Sequence, residues 1–246
     1  MTERKRVEDS LAAAGSGVES RMKEAVEKIL ALVWDARSDK FAFADNPDVD
    51  AEVNRILAQM SDGMLEEARR GARNLLKSLD FDEWEDDALE AAEREIGDET
   101  TLFRFDMQAS HLKQLLESWI IVAAVYGLSR SRVWIDLKTY LANPMASRLW
   151  RGAGRGPMRW GRGYVNNLIE AYRRLIRDYL HRAYLYAQLN KYAEEGAIGY
   201  TIHRGSTYDC PLCDSYTGRV WPLDAEILPI HVNCMCYTEP VFREEI

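Results

Sequence analysis

The stretch Cys210–Cys236, CPLCDSYTGRVWPLDAEILPIHVNCMC, contains all four cysteines of this 246-residue chain. They form a Cys-x-x-Cys pair at Cys210 and Cys213 and a Cys-x-Cys pair at Cys234 and Cys236. Thiolates so closely spaced on two short segments can face one ion, and structural Zn²⁺ almost always takes four ligands in a tetrahedron. The sequence therefore predicts a structural zinc site in this stretch.

Five side chains compete for the four positions around the metal. We predict Cys210, Cys213, Cys234 and Cys236 as ligands, with His231 either replacing one of them or contacting a ligand from outside. Residues 1–19 are polar and charged and do not contain the apolar centre of a secretory signal. A cytosolic protein is thus expected, and in a reducing compartment clustered cysteines favour a metal over disulfides.

Three short strands are predicted around the cysteines. Ile198, Tyr200 and Ile202 alternate with Gly199, Thr201 and His203, which predicts the first strand. Residues 218–221 are predicted as a second strand, and residues 237–241 end an extended segment that begins at the Cys-x-Cys pair. We therefore expect a small, β-rich C-terminal module that the zinc ion holds together.

The remainder of the chain has the three-and-four apolar spacing of amphipathic helices. Helices are predicted over residues 21–37, 50–78, 100–128, 129–141 and 164–195, the last of them ended by Gly196. The predicted fold is mainly α, a helical bundle-like body with one long helix followed by the zinc-stapled module. The expected division is a mobile tail (1–19), a helical domain (20–145), an Arg/Gly/Trp-rich loop (146–163), and the long helix with the module (164–246).

The charge distribution limits the kinds of molecule that the chain is expected to bind. A net charge of −8 and a pI near 5.2 argue against a protein that covers nucleic acid with its whole surface. Much of the negative charge lies in residues 80–99, which form either a solvated helix face or an electrostatic docking surface. The apolar run Trp119–Leu128 is shorter than the roughly 20 residues that a membrane-spanning helix needs, so no membrane partner is expected.

A local exception to the acidic balance is the stretch RLWRGAGRGPMRWGRG, residues 148–163, which contains no acidic residue. Arginines that can contact phosphate and tryptophans that can stack on bases, both on a flexible backbone, are typical of nucleic-acid binding. The same composition is also compatible with a surface that contacts a partner protein, with a loop that contacts the acidic segment, and with a plain linker. The candidate contact residues are Arg148, Trp150, Arg151, Arg155, Arg159, Trp160 and Arg162.

The C-terminal third resembles the bacteriophage Mu F-like minor head proteins. The resemblance rests on the run from Tyr200 through His203-Arg204-Gly205-Ser206 to Asp209-Cys210-Pro211-Leu212-Cys213, then on Gly218-Arg219-Val220-Trp221 and on His231-Val232-Asn233-Cys234-Met235-Cys236. It covers about residues 164–242 and departs from the family at Val232, where proline is common, and Met235, where arginine is common.

The resemblance implies a structural role in head morphogenesis of a tailed phage or prophage. A protein of this family is expected in the virion, in the capsid interior or near the portal, and in the host cytoplasm during assembly. Its partners would be portal or other capsid proteins and, through residues 148–163, DNA, with which it would leave the head. No enzymatic activity is expected.

Two other functional classes remain as alternatives. A metal-dependent hydrolase or nuclease would use His231, Asp209 or Asp214 beside the metal to activate water. A catalytic zinc usually has three protein ligands and one open position, whereas five candidates here favour a closed site. The other class is a zinc-stabilised nucleic-acid-binding protein, which the acidic net charge disfavours and the 148–163 loop favours.

Overall fold

The computed structural model describes residues 3–94, 101–142, 168–205, 210–225, 227–230 and 234–243. The chain is mainly helical, with a small antiparallel sheet near its C-terminus. The predicted fold class is therefore confirmed. Residues 148–163, which carry the predicted nucleic-acid or partner contacts, lie outside the described residues, as does His231.

Each of the five helices predicted from apolar spacing is present, with bounds that differ by up to several residues. The described helices are α1 Glu3–Ala13, α2 Val18–Val33, α3 Pro47–Ser78, α4 Glu85–Glu93, α5 Thr101–Val125, α6 Arg130–Ala142 and α7 Leu168–Glu194. Helix α7 is followed by Gly196 at φ 81°, a left-handed conformation that glycine adopts without strain. The predicted end of the long helix is thus confirmed.

The N-terminal segment differs from the prediction. Residues 3–13 form helix α1 instead of a mobile tail, and Val7 and Leu11 are buried. The Glu3 carboxylate accepts hydrogen bonds from the Tyr184 hydroxyl (3.3 Å) and the Gln188 amide (3.4 Å) of α7. Because these partners lie more than 180 residues away, the periodicity of a short polar segment could not reveal them.

The chain forms two compact units. One compact unit comprises residues 1–15, 66–101 and 174–246, and the other comprises residues 16–65 and 102–173. Helices α3 and α7 each contribute residues to both units, so neither unit is contiguous in sequence. A division based on changes in composition cannot detect such an arrangement, because each long helix has one continuous apolar pattern.

The unit of residues 16–65 and 102–173 has an aromatic core. Trp119 and Tyr172 are fully buried, and the Tyr172 hydroxyl donates to the Phe105 carbonyl at 3.2 Å. The Phe105 and Tyr172 rings lie 5.8 Å apart between centroids.

Among the described residues, no helix is both long enough and apolar enough to cross a membrane.

In the unit that contains the C-terminus, the acidic helix α4 packs against its neighbours through an apolar face. Ala88, Leu89 and Ala92 of α4 are buried. The Glu93 carboxylate accepts hydrogen bonds from Arg69 Nε (2.8 Å) and the Tyr179 hydroxyl (2.9 Å). The hydrogen bond from Arg69 lowers the pKa of Glu93, so this carboxylate is ionised at neutral pH.

The sheet consists of β1 Gly199–His203, β2 Val220–Trp221 and β3 Tyr237–Val241, in the order β2-β1-β3. Both pairings are antiparallel, with Tyr200 opposite Trp221 on one side and opposite Pro240 on the other. The Tyr192 hydroxyl of α7 donates to the Thr238 carbonyl at 3.0 Å. The three predicted strands are present at nearly the expected positions, and a hydrogen bond joins α7 to β3.

Two phenylalanines of α5 give a matched test of this core. Phe105 is 2% exposed and Phe103 is 51% exposed. We expect Phe105→Ala to lower the free energy of unfolding by about 3–5 kcal/mol, because it leaves a cavity against Tyr172. Phe103→Ala should change it by no more than about 0.5 kcal/mol. Urea denaturation of both variants measures the difference, and similar losses in the two would contradict this description of the core.

Candidate metal centre

Two short segments bring the cysteines to one side of the sheet. Cys210 precedes a single helical turn, Pro211–Asp214, which contains Cys213 and in which the Asp214 amide donates to the Cys210 carbonyl at 3.0 Å. Cys234 and Cys236 lie immediately before β3. The pairing of β3 with β1 therefore fixes where the Cys-x-Cys segment can lie.

Three of the predicted ligands meet in one place. The Sγ atoms of Cys213, Cys234 and Cys236 all lie within 4.8 Å of one another, and these residues are 2–3% exposed. Among the described residues, this is the group of cysteine, histidine and carboxylate side chains whose spacing could hold a metal ion. We refer to Cys213, Cys234 and Cys236 as the thiol cluster.

Cys210, the fourth predicted cysteine ligand, lies beside the thiol cluster, but its sulfur atom is not within 4.8 Å of all three of the others. It is only partly buried, and a side-chain hydrogen bond links it to Cys213. His231 lies outside the described residues, so its part in the site stays a prediction.

The protonation of the three thiols is coupled. Burial, together with hydrogen bonding to Cys210, raises the pKa of Cys213 to about 12. The Cys234 thiol donates to Cys236, which raises the pKa of Cys234 and lowers that of Cys236. A buried group of this kind holds thiolate charge only where a cation or hydrogen-bond donors compensate it.

One donor comes from the backbone of Gly205. Its N–H donates to the Cys236 sulfur and contributes to the lowered pKa of that thiol. The chain passes so close that a Cβ atom at position 205 would lie 1.4 Å from the Met235 carbonyl oxygen. Only glycine fits here, and the close contact of its backbone with Met235 fixes the position of the Cys-x-Cys segment.

A second source of positive charge is Arg204. Its Nη1 donates to the Asp214 carboxylate and lies 3.5 Å from the Cys210 carbonyl oxygen. The hydrogen bond with Asp214 raises the pKa of Arg204, and the nearby Cys210 and Cys236 thiols raise it further. A guanidinium next to several thiolates offsets part of their mutual repulsion, which favours binding of a divalent ion.

One side of the thiol cluster packs against an apolar core. Tyr192, Ala197, Tyr200 and Ile202 are buried in the same core as the three cysteines. Tyr200 is fully buried, and its hydroxyl donates to the Ala225 carbonyl of the loop between β2 and the second cysteine pair. On this side the core shields the sulfur atoms from water, as is usual around a structural site.

Sequence reasoning missed one residue of this site. His181 of α7 is 4% exposed, and it lines the same cavity as Met235 and Cys236. Burial lowers its pKa to about 4, so the imidazole is neutral at physiological pH. A single histidine on an apolar helix face is most often a packing residue, and no spacing rule linked it to cysteines more than 50 residues downstream.

The donor set fits a soft or borderline metal ion. Thiolates favour Zn²⁺, Cu(I) or iron–sulfur clusters over Mg²⁺ and Ca²⁺, which prefer oxygen ligands. Cys213, Cys234 and Cys236 would supply three ligands, and Cys210 is the nearest described candidate for a fourth. When bound, the ion would cross-link the turn after β1 to the segment before β3.

We expect Gly205→Ala to disrupt the thiol cluster, because the added methyl group would overlap the Met235 backbone. Metal content measured by mass spectrometry should fall well below that of the wild type. Gly63→Ala is the matched control, since its added Cβ would meet only the flexible end of the Arg21 side chain. Equal metal content in the wild type and Gly205→Ala would show that the close approach does not shape the site.

We expect Arg204→Met to weaken metal binding by about 10- to 100-fold, the usual effect of removing a group that supports the ligands from outside. The measurement is competition with a chelator of known affinity. Arg219→Met serves as the control, because Arg219 stacks on Trp221, 5.5 Å from its ring centroid, in the same module. Unchanged affinity in Arg204→Met would contradict the proposed charge compensation.

Comparison of the chain with protein-family models, curated proteins and solved structures gave no match.

Proposed function

We propose that this protein is a structural minor head protein of a tailed phage or prophage, whose C-terminal module is closed by a zinc ion. The proposal starts from the resemblance of residues 164–242 to Mu F-like head proteins. The observation that supports it most directly is the burial of three of the motif's cysteines in one cluster.

The zinc ion would be held by the thiol cluster, with Cys210 as the fourth ligand and His231 as the alternative to it. The metal supplies a cross-link. In small zinc modules such sites contribute an apparent 10–16 kcal/mol or so of folding free energy. The sheet is short, since β2 has two residues and β1 and β3 have five each. A cross-link of this strength would therefore be a major part of the module's stability.

A structural role is favoured over a catalytic one by the surroundings of the thiols. Catalytic zinc usually keeps an open position for water or substrate. Cys213, Cys234 and Cys236 are 2–3% exposed and share an apolar core with Tyr200 and Ile202. This arrangement supports a metal that holds the chain together rather than one that activates water.

The helical body then provides the surface for assembly. We propose that it docks on portal or other capsid proteins in the host cytoplasm and is packaged inside the capsid or near the portal. Residues 148–163, from Arg148 to Arg162, would contact DNA or a capsid partner. Arg and Trp on a Gly-rich backbone combine phosphate contact with stacking, which is suited to DNA as well as to a capsid protein.

Purified phage particles provide the test of the proposed function. Induction of a strain that carries the gene, followed by mass spectrometry of particles separated on a density gradient, should detect this chain with the portal and capsid proteins. A strain with Cys213→Ser should yield particles with much less of it, because the module would lose its metal. Leu212→Ser is the control, since Leu212 is an exposed neighbour of that cysteine.

Absence of the wild-type chain from particles that contain portal and capsid proteins would contradict the proposal. Metal-dependent cleavage of DNA by the purified protein, abolished by His231→Ala, would instead support the hydrolase or nuclease alternative.

A further inference from the structure

A cleft of about 430 Å³ lies in the unit that contains the C-terminus, between α1, α7 and the segment that leads into β3. Several of the side chains that line it are buried, among them Val7, Leu11, His181, Tyr184 and Tyr192. Small-molecule sites are usually clefts of about 300–1,000 Å³ with mainly apolar and aromatic walls and a few polar groups. The size and the lining of this cleft are those of a small-molecule site.

One polar atom of the buried lining has an unmet hydrogen-bonding capacity. His181 is 4% exposed, and its Nδ1 atom makes no hydrogen bond with any described residue. A buried polar atom without a partner is unfavourable, and a leucine or phenylalanine would fill the same space without that penalty. A histidine at this position is therefore better explained by a hydrogen bond to a molecule that enters the cleft.

The charged residues of the cleft are all exposed or half-buried, and acidic ones outnumber basic ones. They are Glu3, Glu8, Glu195 and Glu239 against Arg4 and Lys191. Arg4 Nε donates to the Glu8 carboxylate at 3.0 Å, and its guanidinium lies 4.5 Å from the Tyr237 ring centroid. Lys191 Nζ lies 5.3 Å from the centroid of the Phe81 ring. Both cations thus already have partners within the protein.

The Glu3 and Glu195 carboxylates leave the cleft with unbalanced negative charge. Glu3 accepts hydrogen bonds from two neutral groups, the Tyr184 hydroxyl at 3.3 Å and the Gln188 amide at 3.4 Å. Within the part of the chain that the structure describes, no cationic side chain pairs with Glu3 or Glu195. Carboxylates form their strongest hydrogen bonds with cations, so this charge favours a cationic ligand over an anionic one.

We propose that the cleft binds a small amine that carries a hydroxyl group at its other end. The ammonium group lies among the carboxylates of Glu3 and Glu195, and the apolar body packs against Val7 and Leu11. The hydroxyl group pairs with His181 Nδ1, and because a hydroxyl both donates and accepts, it can do so in either tautomer of the imidazole. The inference goes beyond the proposed function, since none of these side chains is a predicted metal ligand.

Three probes of similar shape test the class of ligand. They are tyramine, phenethylamine, which lacks the hydroxyl group, and hydroxyphenylpropionate, which has a carboxylate in place of the ammonium group. Isothermal titration calorimetry of the full-length, zinc-loaded protein at low ionic strength measures their affinities. We expect tyramine to bind, phenethylamine to bind about 3- to 10-fold more weakly, and hydroxyphenylpropionate not to bind detectably.

Two variants test the assigned contacts. His181→Phe should lower the affinity for tyramine to that for phenethylamine and leave the affinity for phenethylamine unchanged. Glu195→Gln should weaken the binding of both amines by about 2- to 5-fold, as expected for a solvent-exposed ion pair. Glu194→Gln is the matched control, because Glu194 is an exposed neighbour that does not line the cleft, and both affinities should stay the same.

Absence of tyramine binding to the wild type, or tighter binding of hydroxyphenylpropionate than of tyramine, would overturn the proposal. So would an equal loss of affinity for both amines in His181→Phe, since the hydroxyl group would then have no assigned partner. If circular dichroism shows that His181→Phe does not fold, the three probes and the pair Glu195→Gln and Glu194→Gln decide. Equal amine affinities in that pair would contradict the placement of the ammonium group.

Discussion

The C-terminal module depends on how the charge of three closely spaced, buried sulfur atoms is compensated. Cys213, Cys234 and Cys236 lie within 4.8 Å of one another in an apolar core. Fully protonated, they would be ordinary small core residues, and ionised they would repel one another unless a cation lay between them. Hydrogen bonds from Cys234 and from the Gly205 N–H lower the pKa of Cys236, whereas burial raises that of Cys213 and the hydrogen bond to Cys236 raises that of Cys234. Ionisation of all three thiols therefore requires a cation, and a divalent metal ion is the simplest partner for several thiolates at once.

The same constraint explains how the module is joined to the helices. The Cys-x-Cys segment is contacted by Gly205, and β3, which follows it, accepts a hydrogen bond from Tyr192 of α7. Helix α1 adds to this part of the unit through Arg4, whose guanidinium lies 4.5 Å from the centroid of the Tyr237 ring. Binding or loss of the metal would therefore affect α1 and α7 through these contacts. Such a module provides rigidity without a large hydrophobic core.

Much of this arrangement could be predicted from the sequence, because its signals are local. Helix α7 has a continuous apolar stripe and a glycine after its end, and strand β1 alternates in polarity. The spacing of the cysteine pairs alone singled out the three residues of the thiol cluster. Helix α1, the two discontinuous units and the burial of His181 near the Cys-x-Cys segment could not be predicted, because each depends on contacts between distant segments. Gly205 stood in the quoted motif, but the reason for a glycine there becomes visible only where its backbone meets Met235.

Hydrogen exchange of the strand amides with and without metal is the most direct test of the claim that the thiol cluster closes the module. In the zinc-loaded protein, amides of β1 and β3 such as those of Ile202 and Thr238 should exchange slowly. After removal of zinc by a chelator they should exchange much faster, while amides in the middle of α5 keep their protection. Equal protection of β1 and β3 in the metal-loaded and metal-free protein would contradict this account.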